Sequence, residues 1–481
     1  VLRPYQQQAI NEIRTKYASG QKKILLHAPT GAGKTVVFCE ILKAVKEKGS
    51  RALMVVRGRA LVDQASKRLD QTGVEHGVLM AGHWRKRPSE AVQVCSIDTL
   101  YSRRLAPKAD ILIIDEAHMA TSDGYKWLAE AYPSAYFLGV TATPYVSGSL
   151  RHVADEIVRP ITIRELIAQN FLVPPVYYAP SVPDLTGVEI SSTGDYVIDS
   201  LDKLLNQNHP IGDVVSSWIK LGEGRPTLLF AVSVRHSQSL AAAFCAAGVP
   251  AMAIDAKNSD AERKDAVQKL EAGHIKIICN VGIFCTGVDI PSASCLVMAR
   301  PTLSYSLYIQ QAGRCTRPAP GKKDFILIDH AGNVLRHGCI LEERSGSLDP
   351  IQKNTLQKID VGLKTCAGCF AVFLKNVFIC PGCGEKSAPI VSSKNEKAMD
   401  PIEASMEVAD PFHLKVVARR GELRDIAKRR GYKSGWVYYR LKEEFGETVA
   451  DKYEKKKNVP DFIREKLRAA KQILSASSAR S

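Results

Sequence analysis

The sequence runs to 481 residues with 45% hydrophobic and 24% charged side chains, too much chain for one ordinary core and apolar enough to build about three. No run approaches the roughly 18 apolar residues of a membrane span, and residues 1–20 are polar and read as a helix instead of a signal peptide, so a cytoplasmic setting is expected. The formal net charge of +16 favours a polyanionic partner, and residues 411–481 concentrate it, with 19 Lys and Arg against 9 Asp and Glu.

In chain order, a helix is predicted from Arg3-Pro4 to about Ala18, then a strand over 22–27 that feeds a glycine-rich turn and a second helix. Further strands are expected over 51–56, 91–96, 110–114 and 136–140, with a helix over 59–71 between the first two. Strands alternating with helices at this spacing predict a parallel sheet wrapped by helices, with function at the carboxyl ends of the strands. Residues 151–210 are interrupted by Pro160, Pro174, Pro175, Pro180 and Pro183 and read as a connector with one short helix over 163–169. A second alternating unit occupies 211–345, with strands over 227–232, 250–254, 275–280, 295–299 and 324–329, a capping box at Ser259 and Glu262, and a helix over 305–312. The expected fold class is therefore α/β, with two tandem parallel-sheet domains at 1–150 and 211–345. After them come a metal ribbon (346–390), a Ser-rich linker (391–410) and a small basic helical domain (411–481).

The turn after the first strand, Thr30, Gly31, Ala32, Gly33, Lys34 and Thr35, has the composition of a phosphate-binding loop. Its glycines let successive N–H groups point at phosphate oxygens, Lys34 neutralises the outer phosphates, and the Thr35 hydroxyl reaches Mg²⁺. Asp115 and Glu116, at another strand end of the same domain, supply the second half of a nucleotide hydrolase: Asp115 holds the Mg²⁺ shell and Glu116 orients and deprotonates the attacking water. ATP and Mg²⁺ are thus the expected small-molecule partners.

Arg3-Pro-Tyr-Gln6, Gly31 to Thr35, Asp115-Glu-Ala-His118, Thr141-Ala-Thr143, Thr286-Gly-Val-Asp289 and Gln310 to Arg317 follow one another in an order that resembles the superfamily 2 helicases of the DEAD/DEAH-box type. The likeness covers about residues 1–345, and the Arg-Pro-Tyr-Gln start and the Thr-Gly-Val-Asp-Ile-Pro form are closest to the RadD and XPB-like DNA branch. The resemblance implies two RecA-like domains with ATP between them and DNA as partner, as a single strand, fork or junction, in replication, recombination or repair. It gives Arg314 and Arg317 the part of arginine fingers beside Gln310, and Asp289 a ribose or coupling contact. His118, Thr141 and Thr143 become the link between hydrolysis and domain movement. Arg3 and Gln6 would recognise adenine by stacking and amide pairing. Arg57, Arg59, Ser96, Thr99, Thr286 and Gly287 match segments that hold the nucleic-acid backbone.

Cys366, Cys369, Cys380 and Cys383 form two Cys-x-x-Cys pairs ten residues apart, the pattern of a tetrahedral Zn²⁺ site. Two segments stay open between readings. His83-Trp-Arg-Lys-Arg87 is either a strand or junction contact or an ordinary basic loop. Trp436, Tyr438, Tyr439, Arg440 and Lys442 are either an aromatic, basic DNA surface or the core of a small helical bundle.

Overall fold

Runs such as Ala52–Val56 and Ile111–Asp115 are apolar at nearly every position, so they can only be strands covered on both faces, which is the condition of a parallel sheet. The computed structural model describes residues 2–145, 148–192, 194–285, 290–342, 344, 346–350 and 362–386, and, near the C-terminal end, 423, 426–427, 432 and 435–445. In the first domain β1 (Lys23–His27), β2 (Ala52–Val56), β3 (Gly77–Leu79), β4 (Val92–Ser96), β5 (Ile111–Asp115), β6 (Tyr136–Thr141) and β7 (Glu156–Val158) form one parallel sheet in the order β3-β4-β2-β5-β6-β1-β7. Alternate residues feed two cores: Ile24 and Leu26 pack on one face with helices α1 (Pro4–Ala18) and α2 (Lys34–Glu47), and Leu25 packs on the other. Helix α3 (Arg59–Gln71) joins the first face, and α4 (Ile97–Arg103) and α5 (Asp123–Ala131) the second.

The proline-punctuated stretch carries more structure than its sequence suggests. Besides β7 and the expected helix, here α6 (Ile163–Ala168), it contains β8 (Pro175–Tyr178) and α7 (Ile198–Leu205), and β7 and β8 add to different sheets. Prolines mislead here because β8 opens on Pro175 at a sheet edge, where a missing N–H is tolerated, and β7 ends before Pro160. Helix α8 (Asn208–Leu221) then leads into the second sheet, β9 (Thr227–Phe230), β10 (Ala251–Ile254), β11 (Ile277–Asn280), β12 (Cys295–Met298) and β13 (Phe325–Asp329), parallel and ordered β10-β11-β9-β12-β13-β8. Helices α9 (Val234–Ala246), α10 (Asp260–Glu271), α11 (Tyr305–Ala312) and α12 (Asn333–His337) accompany it, and α10 starts at the Ser259–Glu262 capping box. The two α/β domains are tandem RecA-like units.

The chain then turns back. Leu348 is buried in the first domain's second core, its carbonyl accepts from Leu150 N–H (2.8 Å), and the Asp349 carboxylate accepts from both ends of the Arg151 guanidinium (2.9 and 2.7 Å). Beyond it, β14 (Leu363–Thr365) and β15 (Val372–Leu374) pair antiparallel and lend Leu363 and Val372 to the second domain's core. Residues 407–481 are a separate unit, in which α13 (Trp436–Phe445) buries Val437, Tyr438 and Leu441 against Leu423. Tyr438 is thus core, whereas Tyr439 is exposed and Trp436 stacks near Tyr432 with ring centroids 4.7 Å apart. The Arg440 guanidinium sits 6.0 Å from the Trp436 ring and donates to Glu443. Among the described residues no helix is long and apolar enough to cross a membrane.

Candidate functional site

The loop after β1 takes the shape its glycines allow. Gly31 (φ +87°) and Gly33 (φ +76°) are left-handed, and Gly33 is the cap from which α2 begins. Gly33 is also sterically required, since a Cβ there would lie 2.5 Å from Gln6 Nε2. Lys34 Nζ donates to the carbonyls of Ala28 (3.1 Å) and Pro29 (3.2 Å), so its ammonium is held inside the loop. Burial lowers its pKa, while the Glu116 and Asp115 carboxylates work to keep it charged. Sheet order does the rest: β1 lies beside β6, and β6 beside β5, with His27 opposite Thr141 and Asp115 opposite Val140. Three sequence-distant motifs therefore meet at adjacent strand ends.

The acidic pair is differentiated by its surroundings. Burial and the neighbouring Glu116 charge raise the Asp115 pKa, against the pull of Arg68 and Lys34. Burial would raise Glu116 as well, but the His118 imidazole and Lys34 outweigh it and keep that carboxylate ionised. Glu116 stands in the left-handed region (φ 50°, ψ 48°), a conformation uncommon for a residue with a side chain and found where a site dictates it. Its Oε2 is buried without a hydrogen bond, 3.3 Å from His118 Nδ1. His118 Nδ1 also lies 3.1 Å from Thr141 Oγ1, and its Nε2 lies 3.5 Å from Gln310 Nε2 of the other domain. Thr141 Oγ1 accepts from Thr143 N–H (3.1 Å), and the Thr143 hydroxyl is buried without a partner.

Gln310 lies in α11 and Arg314 and Arg317 follow it, and all three line one cavity of about 280 Å³ with Thr30, Gly31, Gly33, Lys34, Thr35, Asp115 and Glu116. Gly313 makes this approach possible, because a Cβ at that position would lie 2.7 Å from Thr30 Cβ. The cavity wall also includes Gln64 and Arg68, which the motif reading missed; Arg68 Nη1 is 3.9 Å from Asp115 Oδ2. Their signal was periodic, since Leu61, Gln64 and Arg68 recur at helical spacing on one face of α3 and all three line the cavity. Two carboxylates, one buried lysine and three arginines around this volume suit a nucleotide's phosphates and a divalent cation: Thr35 and Asp115 offer the oxygens for Mg²⁺.

Other expected residues are placed differently. Gln6 is buried and its amide is committed: Nε2 donates to Ala32 O (3.1 Å) and Oε1 accepts from Arg3 N–H (2.9 Å). The Arg3 guanidinium lies 3.9 Å over the Phe171 ring. Neither lines the cavity; Gln6 and Tyr5, whose OH also donates to Ala32 O (2.8 Å), brace the loop from behind, and Arg3 Nη1 donates to Tyr5 OH (3.1 Å). Arg57 and Arg59 are exposed at the end of β2, with Arg57 3.8 Å from Asp98, and Thr99 lies nearby in α4. Ser96 is buried, so any contact from it is through the main chain. Thr286, Gly287 and Asp289 lie outside the described residues.

The four clustered cysteines converge, their Sγ atoms all within 4.8 Å of one another. The pairs Cys366–Cys383 and Cys369–Cys380 are 3.6 and 3.5 Å apart, far beyond a disulfide and close to the roughly 3.8 Å edge of a tetrahedron with 2.3 Å zinc–sulfur bonds. Glu385 Oε2 accepts from Gly368 N–H (2.9 Å) and lies 3.3 Å from Cys366 Sγ, tying the second knuckle to the first. This donor set fits a structural zinc ion.

Comparison with known proteins agrees with this geometry. The family described as "Type III restriction enzyme, res subunit" matches residues 1–146, and "Helicase conserved C-terminal domain" matches residues 210–319. A "51.5 kDa protein" of a Lactococcus phage is 30% identical over 410 residues, covering 84% of this chain and 86% of the phage protein. "Putative ATP-dependent helicase IRC3" of Saccharomyces cerevisiae is 28% identical over 69% of this chain, which spans only 52% of that relative. "DNA 3'-5' translocase XPB2" of Sulfurisphaera tokodaii is 24% identical over 67% of this chain and 79% of its own length.

Proposed function

Because this chain belongs to the superfamily 2 helicases and is an ATP-hydrolysing helicase, we propose that it couples hydrolysis in the interdomain cavity to movement along DNA, unwinding or remodelling it during replication, recombination or repair. The observation that carries this reading is the shared cavity, in which Lys34, Asp115 and Glu116 of one domain face Arg314 and Arg317 of the other. The naming of a similar protein as a DNA translocase, and the closeness of the motifs to the RadD and XPB-like branch, favour DNA over RNA and 3′ to 5′ movement.

In this reading the loop N–H groups and Lys34 hold the β- and γ-phosphates. Thr35 and Asp115 would hold the Mg²⁺ that accompanies ATP, which would supply charge neutralisation at the phosphates. Glu116, kept ionised, takes the proton of a water attacking the γ-phosphorus while the bond to the β–γ bridging oxygen breaks and ADP is released. Arg314 and Arg317 stabilise the charge that develops on the transferred group. His118 bridges Glu116, Thr141 and Gln310, so the state of the γ-phosphate is communicated to the second domain. Arg57, Arg59 and Thr99 hold the strand's backbone, Thr286, Gly287 and Asp289 act from the second domain, and Trp436 and Arg440 add a contact from the C-terminal unit. Arg3 and Gln6 read the adenine once nucleotide displaces their present partners. Cys366, Cys369, Cys380 and Cys383 would hold a Zn²⁺ that braces the ribbon.

The test is phosphate release with and without single-stranded DNA, forks, junctions and RNA. Single-stranded DNA should stimulate the wild type more than RNA does, and Lys34→Ala and Glu116→Gln should each remove the stimulated rate by about 100-fold or more. Full turnover in either variant refutes the assignment of this cavity.

A further inference from the structure

Trp84 is 76% exposed, more than any other large apolar side chain among the described residues. A ring of that size gains by burial, and one left in water on a built surface marks a contact site. Its loop is built. Val78 N–H donates to Arg85 O (2.9 Å), Arg85 N–H donates to His83 Nδ1 (3.0 Å), and the buried His83 places Nε2 3.2 Å from Asp63 Oδ1. The Arg85 guanidinium donates to both oxygens of Asp70 (2.5 and 2.8 Å) and lies 2.8 Å from His76 Nε2. Arg85 is therefore a pin for the loop, its charge already spent on Asp70. Trp84 sits between these anchors, near-parallel to the His83 ring (5.7 Å, 23°) and 4.8 Å from the Arg85 guanidinium, with most of the indole still open. An aromatic fixed in this way loses little side-chain entropy when something stacks on it.

The loop also lies where a strand would pass. It follows β3, whose neighbours in the sheet are β4 and then β2, all parallel, so their carboxyl ends share one edge of the first domain. Arg59 Nη2 donates to Ala81 O (3.1 Å) and Ala81 N–H donates to Thr99 Oγ1 (3.5 Å), which ties the Trp84 loop to two of the proposed backbone-holding residues. Lys86 and Arg87 beside it are exposed. Cationic groups that suit phosphates and one rigid, open aromatic on the same edge are the two components of a single-strand site.

We propose that Trp84 is a stacking platform for one base of the single-stranded DNA that this helicase carries, a proposal that rests on the DNA reading above. Phosphates are held by Arg57, Arg59, Lys86 and Arg87, and the indole face takes a base without regard to its identity, as a translocating enzyme requires.

The test compares the full-length wild type, Trp84→Ala and Trp84→Phe in binding a single-stranded oligothymidylate and an abasic strand of equal length and charge. The wild type should hold the oligothymidylate about 10-fold more tightly than the abasic strand. Trp84→Ala should lose most of that difference while binding the abasic strand as the wild type does, and Trp84→Phe should keep much of it. Unchanged oligothymidylate affinity in Trp84→Ala, or an equal loss on both strands, overturns the stacking role while DNA-stimulated phosphate release by the wild type leaves the DNA reading intact. A wild type that binds neither strand overturns both. Thermal melting of Trp84→Ala at the wild-type temperature shows that the exposed ring is not structural.

Discussion

Glu116 and Asp115 are neighbours in sequence with opposite pKa shifts, and the difference comes from the side chains around them. Glu116 faces His118 and Lys34, whereas the stronger cationic pull on Asp115 comes from Arg68. Arg68 thus has a specific task in the proposed site, holding charge beside the residue that would share Mg²⁺. Arg68→Ala should lower the DNA-stimulated ATPase roughly 10-fold, and Arg68→Lys should restore part of it. A rate unchanged by Arg68→Ala would remove this residue from the site. The phosphate loop and the acidic pair were legible because their chemistry is encoded in adjacent residues. Arg68 and Gln64 were not, because they enter by helical spacing from another element and carry no local signature. Gln6 is legible only in part: its residue type suggests adenine recognition, whereas the bonds its amide makes to Ala32 and Arg3 appear only in the folded chain.

At the scale of elements, the alternation of apolar runs and helices was enough to anticipate two parallel sheets, because strands such as β2 and β5 are buried on both faces and have no other stable environment. What escaped was edge structure. β7 has only three residues and β8 four, and the prolines at Pro160, Pro174 and Pro175 around them resembled linker composition. The ribbon is the smallest element, with two strands of three residues each, too little to hold four cysteines together by packing alone. Metal analysis of freshly purified, reduced protein should therefore find one zinc per chain. Cys380→Ser together with Cys383→Ser should abolish that zinc and render residues 362–386 sensitive to limited proteolysis. A metal-free preparation with a protease-resistant ribbon would contradict the assignment.

For the whole molecule, the proposed mechanism makes catalytic competence depend on how closely the second domain approaches the first. That distance is recorded at Gly313, where α11 ends against Thr30 with no room for a methyl group. Gly313→Ala has an ordinary helical backbone to occupy (φ −63°), so it should fold normally and melt near the wild type. It should nonetheless turn over ATP at least about 10-fold more slowly, since a misplacement of about 1 Å in a preorganised site costs that much or more. Wild-type turnover in Gly313→Ala would mean that the two domains close elsewhere. The return of Leu348 to the first domain's core adds a constraint of another kind. The chain passes between the domains three times: between β7 and β8, between α12 and Leu348, and between Asp349 and Leu363, which packs in the second domain's core. A single tether is a pivot about which a body can swivel in any direction, whereas each further tether removes some of those directions. In the proposed cycle, three such passages would restrict the ways in which the nucleotide-facing surfaces part and meet.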